Sequence, residues 1–154
     1  MSDKKRVLIS LACGLILLYN IIEYKVEKVL TSKVAILDCV KVIEDKYMIT
    51  GGLDSKTRIW NLETEKLISK FEIHSNHSTL MVTYKEFIFS FGSDNSLTKF
   101  NFKAKTIEKS LSFETPITSM KIIKTVDESM KLKLAVVTQA SELTLYDLSL
   151  NLLK

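Results

Sequence analysis

The sequence predicts an all-β fold assembled from about four repeated units, and three observations carry that expectation. Between Lys41 and Phe113, apolar residues alternate or fall in short runs such as YMIT, TRIW, FIFSF and LTKFNF, bounded by Gly, Asp, Asn and Ser. That is the period-two pattern of half-buried strands, enriched in β-branched and aromatic types. No segment of eleven or more residues in the same region keeps the i, i+3, i+4, i+7 spacing of a helical face. Finally, triplets of the form aromatic, Asn or Asp, apolar recur at Tyr19-Asn20-Ile21, Trp60-Asn61-Leu62, Phe100-Asn101-Phe102 and Tyr146-Asp147-Leu148, at intervals of 41, 40 and 46 residues. A recurring interval of this size marks one supersecondary unit per repeat.

The first unit, residues 6–31, opens on VLISLACGLILLYNII, sixteen residues from Val7 to Ile22 without a charge. Lys4, Lys5 and Arg6 ahead of such a run have the outline of a secretory signal, or of a signal anchor with a cytoplasmic basic flank. Sixteen residues fall short of the ~20 that span a bilayer, Asn20 lies near one end, and no small-x-small cleavage site follows. The repeat alignment accounts for the same residues as two strands joined at Cys13-Gly14, with Tyr19-Asn20-Ile21 as the closing triplet. A membrane-anchored protein with Val7–Ile22 as its anchor is therefore the competing reading, and the hairpin is preferred.

The second unit, 34–73, places a strand at Val34 to Ile43, a hairpin in YMITGGLDSKTRIWNL and a last strand in EKLISKFEI. The third, 79–113, repeats it with Thr79 to Tyr84, FIFSFGSDNSLTKFNF and KTIEKSLSF. The two hairpins align without a gap at an offset of 40, with Gly52 on Gly92, Asp54 on Asp94, Trp60 on Phe100 and Asn61 on Asn101. The fourth, 117–154, offers Ile117 to Lys124, then LKLAVVTQASELTLYDL, whose turn lacks both the Gly and the Asp, and a short last strand in SLNLLK. Asp54 and Asp94 suit turns, where a carboxylate accepts backbone N–H bonds. Trp60, Phe100 and Tyr146 suit large rings buried between neighbouring sheets. Fifteen strands at most result, with none ahead of the first hairpin.

Four-stranded units repeating every ~40 to 45 residues are the blades of β-propellers. The stretch YMITGGLDSKTRIWNLETEKLISKFE, Tyr47 to Glu72, resembles the WD40-repeat family over strands b, c and d of its repeat, with Trp60-Asn61 in the place of Trp-Asp. The resemblance extends over nearly the whole chain and is strongest in this unit. It implies a single WD40-like β-propeller segment over 1–154, of roughly four blades of antiparallel four-stranded sheets. Rings of the family commonly close with about seven or eight blades, so a partial propeller is expected. The family's Gly-His ahead of strand a is replaced by Thr31-Ser32-Lys33 in the second unit, while His74 takes the histidine's place in the third. The family's buried hydrogen-bond network is accordingly expected in the third unit.

Composition narrows the function. The 154 residues carry 22 Lys and Arg against 18 Asp and Glu, a net charge of +4 scattered among acids, which is a solvated surface with no basic block. Cys13 and Cys39 have no paired spacing and read as reduced core thiols. His74 and His77 share the loop IHSNHS without Cys or carboxylate at ligand spacing, and neither a Gly-x-Ser-x-Gly turn nor a phosphate loop is present. No catalytic residue, metal or cofactor is expected, and the chain is not expected to be an enzyme. The resemblance implies a non-catalytic protein–protein interaction scaffold, a WD-repeat subunit of an intracellular multiprotein complex in the cytoplasm or nucleus. It would complete its propeller with another chain or a second copy, or be a piece of a longer protein. Ser32, Lys33, His74, Ser75, Asn76 and Thr115 are the candidate partner-binding loop residues. Asp54, Trp60, Asn61, Asp94, Phe100, Asn101, Tyr146 and Asp147 are the structural turn and blade positions. A subunit of an RNA-processing or ribosome-biogenesis complex that contacts RNA is a further alternative, although neither nucleic acid nor membrane is expected as a direct partner.

Overall fold

The computed structural model describes residues 6–11, 13–31, 37–43, 46–124 and 131–153. Their regular structure is all strand. The first sheet holds β1 (Arg6–Ser10), β2 (Leu15–Asn20) and β3 (Lys25–Thr31). The second holds β4 (Leu37–Ile43), β5 (Tyr47–Gly52), β6 (Lys56–Asn61) and β7 (Leu67–Glu72). β8 (Ser78–Tyr84), β9 (Phe87–Gly92), β10 (Ser96–Asn101) and β11 (Thr106–Ser112) make the third. β12 (Ile117–Lys124), β13 (Leu132–Thr138) and β14 (Leu143–Asp147) make the fourth. Each sheet is an antiparallel meander with strands in chain order, and none closes on itself.

One expectation is corrected in detail. The second and third sheets have four strands and the first has the three expected of it, whereas the fourth, for which four were anticipated, has three among the described residues. The strand anticipated in SLNLLK shrinks to one bridge, between Tyr146 and Leu152. The uncharged run forms the hairpin β1–β2, with Val7 opposite Tyr19 and Ile9 opposite Leu17. No helix of the described residues is long and apolar enough to cross a membrane. Residues 34–36 of the anticipated strand lie outside the described residues, and β4 begins at Leu37.

The repeat is visible in backbone irregularities that composition alone would not reveal. Left-handed φ angles fall in the turns between central strands at Gly14 (83°), Ser55 (62°), Asn95 (56°) and Ser141 (62°), spaced like the aromatic triplets. A second such series, Tyr24, Glu65, Lys105 and Leu150, closes the turns that follow the triplets. The register slips immediately before Tyr19, Trp60 and Phe100, one bulge in each of the first three repeats. It slips again at Leu37/Cys39, Ser78/Leu80 and Ile117/Ser119, near the start of each first strand of the last three sheets. Bulges bend a strand and increase its twist, so the same two bends are imposed on the second and third units.

The sheets stack in chain order, with β1 against β4, β4 against β8 and β8 against β12. A hydrophobic cluster fills each gap. Ile16 and Leu30 meet Met48 and Trp60 in the first; Ile49, Ile59 and Phe71 meet Ile88 and Phe100 in the second; Phe89, Phe91 and Phe113 meet Leu134, Val136 and Tyr146 in the third. The aromatic of each later triplet thus packs back on the preceding sheet. Phe100 lies 4.8 Å from the Phe71 ring and Tyr146 lies 6.3 Å from the Phe113 ring, centroid to centroid. Each fully buried side chain of this kind contributes about 1.5–3 kcal/mol relative to exposure.

Candidate functional site

Antiparallel meanders place the central-strand turns and the links between sheets at one end of the stack. Backbone bonds tie link to turn there: Ser93 N–H donates to His77 O at 2.9 Å, Phe113 N–H to Asn95 O at 2.9 Å and Gln139 N–H to Pro116 O at 2.8 Å. The opposite end carries the turns after each triplet, and every triplet's Asn or Asp caps its own turn. Asn61 Oδ1 accepts the amides of Glu63 at 2.8 Å and Thr64 at 2.9 Å, and Asn101 Oδ1 those of Lys103 at 3.0 Å and Ala104 at 2.9 Å. Asn20 serves Ile22 and Glu23, and Asp147 serves Ser149 and Asn151.

His74 organises the loop end of the third sheet. It follows β7 in the link to β8 and is only 4% exposed. Its Nε2 accepts from the Ser90 hydroxyl at 3.0 Å. Its Nδ1 lies 3.2 Å from Asp94 Oδ1 and 2.9 Å from Ser96 Oγ. A carboxylate accepts only, so Nδ1 carries the proton and Nε2 is the acceptor. Asp94 also takes the amide of Ser96 at 3.1 Å, its hydroxyl at 2.7 Å and the amide of Ser75 at 2.9 Å. Burial holds the His74 pKa below the ordinary histidine range, with the Asp94 charge opposing it only in part. For Asp94 itself burial pushes upward, but the bonds from Ser96 and Ser75 outweigh it and hold the carboxyl below the usual range. At neutral pH the pair is a neutral imidazole bonded to a carboxylate. Gly92 is the complement of this ring, since a Cβ there would sit 2.6 Å from His74 Cγ and 2.7 Å from Asp94 Oδ1.

The second sheet divides the same positions differently. Trp60 Nε1–H donates to the buried Thr50 hydroxyl at 3.1 Å, and Thr50 stands where Ser90 stands one repeat later. Asp54, in the place of Asp94, turns to Arg58, whose two terminal nitrogens grip its carboxylate, Nη1 at 2.9 Å. The Arg58 bond holds the Asp54 carboxyl below its ordinary range. Lys56 N–H reaches the same carboxylate at 3.4 Å, so the carboxylate is anchored chiefly through Arg58.

The candidate loop residues therefore separate. Ser75 and Asn76 are exposed beside the half-buried His77, whose Nδ1 lies 3.1 Å from Asn76 Oδ1 and 3.1 Å from Ser93 Oγ. His74 is withdrawn from the surface by its own bonds. Thr115 lies elsewhere, in a groove between the third and fourth sheets. Ser32 and Lys33 lie outside the described residues. Sequence reasoning passed over Ser90 and Ser96, whose signal was a pair of hydroxyls flanking the aligned Gly and Asp. It also passed over the capping role of the triplet Asn and Asp, signalled by their position ahead of each turn. Among the described residues no group of three or more His, Cys, Asp or Glu side chains is placed to hold a metal ion. The His74 cluster uses every imidazole nitrogen in bonds that fix a loop against a turn. No family model matches the chain, and no curated protein matches it.

Proposed function

We propose that the chain is a non-catalytic protein-interaction scaffold, a WD40-like partial β-propeller that presents its turn-and-link end to a partner in a multiprotein complex. The observation that carries this reading is the His74–Asp94–Ser90 network. It clamps a link to a turn beneath exposed hydroxyl and amide side chains, giving a polar surface on a firmly bonded frame. The repeated bulges and left-handed turns support the propeller component, because they bend successive sheets alike and stack them in chain order. Rigid scaffolds that carry recognition residues on surface loops follow a general division of labour.

The test is a tagged chain with an identified co-purifying partner, compared with a Ser75→Ala, Asn76→Ala, Ser93→Ala variant. These side chains lie at the surface, so the fold is expected to survive their truncation. Loss of the partner is the expected result, with a Glu63→Ala, Lys103→Ala control at the opposite end retaining it. Undiminished binding by the loop variant would sink the proposal.

A further inference from the structure

Two faces of the stack are uncovered among the described residues, and the repeat identifies what each one lacks. The triplet aromatic pairs across its hairpin with Val7 in the first unit, Met48 in the second, Ile88 in the third and Leu134 in the fourth. Met48, Ile88 and Leu134 are wholly buried against the preceding sheet, whereas Val7 is 43% exposed. The offsets of 41, 40 and 46 that align the triplets also align Ile16, Thr57, Leu97 and Leu143, on the faces turned toward the following sheet. The first three are wholly buried, whereas Leu143 is 63% exposed. The first sheet therefore lacks a preceding neighbour and the fourth a following one.

By register, Val7, Ile9, Leu17, Tyr19, Val26 and Val29 share the open face of the first sheet. Ile123, Val137, Leu143 and Leu145 lie on the open face of the fourth. Apolar patches of this extent mark interaction sites. Within the chain, each gap joins faces of unlike kind: one triplet ring packs back on the preceding sheet, and no gap holds two such rings. The face that carries Tyr19 therefore calls for one like the open face of the fourth sheet, and a second copy supplies it. Area decides how many contacts are needed. Three strands of about six residues cover roughly 300 Å² at a spacing of ~4.8 Å and a rise of ~3.3 Å. A single head-to-tail contact buries only about 600 Å², the size of a lattice contact, whereas a closed pair makes two and reaches about 1,200 Å², in the range of stable association. Two copies of four sheets also fall within the roughly four to eight sheets of closed radial rings.

We propose that two copies of the chain close head to tail, the open face of each first sheet packing on the open face of the other copy's fourth sheet. Val7 and Tyr19 of one copy lie against Leu143 and Leu145 of the other, as Met48 and Trp60 lie against Ile16 within the chain. The contact is heterologous, and the second contact closes it against growth into a filament. This inference rests on the stacked-sheet part of the proposed function and not on the loop end, so the two proposals fail separately.

Sedimentation of the intact chain at micromolar concentration tests the proposal, and a dimer is expected. Val7→Lys and Leu143→Lys each alter a side chain exposed in the single copy, so both variants are expected to keep the strand signal in circular dichroism. Each is expected to weaken the dimer about tenfold or more. In a Cys13→Ser background, a short bismaleimide is expected to join a Val7→Cys chain to a Leu143→Cys chain in a mixture and to leave either variant alone unlinked. The Ser75→Ala, Asn76→Ala, Ser93→Ala chain is expected to dimerise normally. A monomer at micromolar concentration, or assemblies that grow with concentration, would overturn the proposal. So would a dimer that Val7→Lys breaks and Leu143→Lys leaves intact, or linkage of the Val7→Cys chain to itself, since two first sheets would then be meeting face to face.

Discussion

Replacing His74 by Ala tests the physical account of the loop end most directly. The imidazole is buried with three polar partners, so truncation removes packing and leaves the Ser90 hydroxyl, itself fully buried, without its acceptor. Loss of a buried ring of this size costs about 2–3 kcal/mol, and an orphaned buried hydroxyl adds about 1–3 kcal/mol. A loss of roughly 3–6 kcal/mol is expected at neutral pH by urea denaturation, a large share of the ~5–15 kcal/mol that stabilises a typical domain. The pH dependence supplies an independent check. Because burial lowers the folded-state pKa of His74 below its unfolded value of 6.5, the unfolded chain binds the proton first as pH falls. Stability from this site is complete above about pH 6.5 and declines as pH drops toward the lowered folded value, at up to ~1.4 kcal/mol per pH unit. The wild-type denaturation midpoint is expected to fall over that window, a His74→Ala chain to lose most of the slope, and a His77→Gln chain to keep it. A His74→Ala cost below ~0.5 kcal/mol, typical of a surface substitution, or an unchanged slope in that variant, would refute the buried neutral imidazole.

Substitutions at three other places have defined outcomes. Gly92→Ala would drive a Cβ to 2.6 Å from the His74 ring and 2.7 Å from Asp94, and is expected to cost about 1–3 kcal/mol in thermal unfolding while steepening no pH slope. Asn101→Ala removes the acceptor for two turn amides and is expected to cost about 1 kcal/mol, with exchange accelerated at Lys103 and Ala104. Lys99 is buried, with Nζ 2.7 Å from Glu108 and 4.0 Å from the centre of the Phe87 ring. Exchanging both charges in a Lys99→Met, Glu108→Gln chain is expected to be neutral or stabilising in urea, while Lys99→Ala alone destabilises, because an apolar replacement also removes a desolvation cost.

The strand pattern and the period were legible because the triplet couples two separate physical requirements: a ring to fill the gap toward the preceding sheet and a short acceptor to close the next turn. Asn61 and Asn101 therefore align with Trp60 and Phe100 even where flanking residues differ. The Asp of the central turn was legible as a turn residue, but its partners were not. Asp94 serves a histidine in the preceding link, whereas Asp54 serves an arginine four residues on, and a turn sequence does not encode what lies beside it in space. His74 reads two ways in the sequence, as the histidine of a buried network in the third unit and as a partner-binding loop residue; its burial, created by Ser90, Asp94 and Ser96, sixteen to twenty-two residues away, favours the first and removes it from the second. Arg58 and Lys99 are charged residues of central strands, yet both are buried, because the second and third sheets each have a neighbouring sheet on both faces.

That last point explains the charge-free run from Val7 to Ile22. Strands covered on one face alternate apolar with polar, and strands covered on both faces read as continuous apolar runs. β5 and β9 are of the second kind: Met48 packs toward the first sheet and Ile49 toward the third, while Ile88 packs toward the second and Phe89 toward the fourth. β1 and β2 share that composition. Leu8, Ile16 and Leu30 face the second sheet, and the opposite register positions hold Val7 with Tyr19, and Ile9 with Leu17 and Val29. Val7, Ile9 and Val29 are exposed where β5 and β9 have a neighbour. The run is thus the composition of a hairpin with apolar side chains on both faces, one packed against the second sheet and the other exposed.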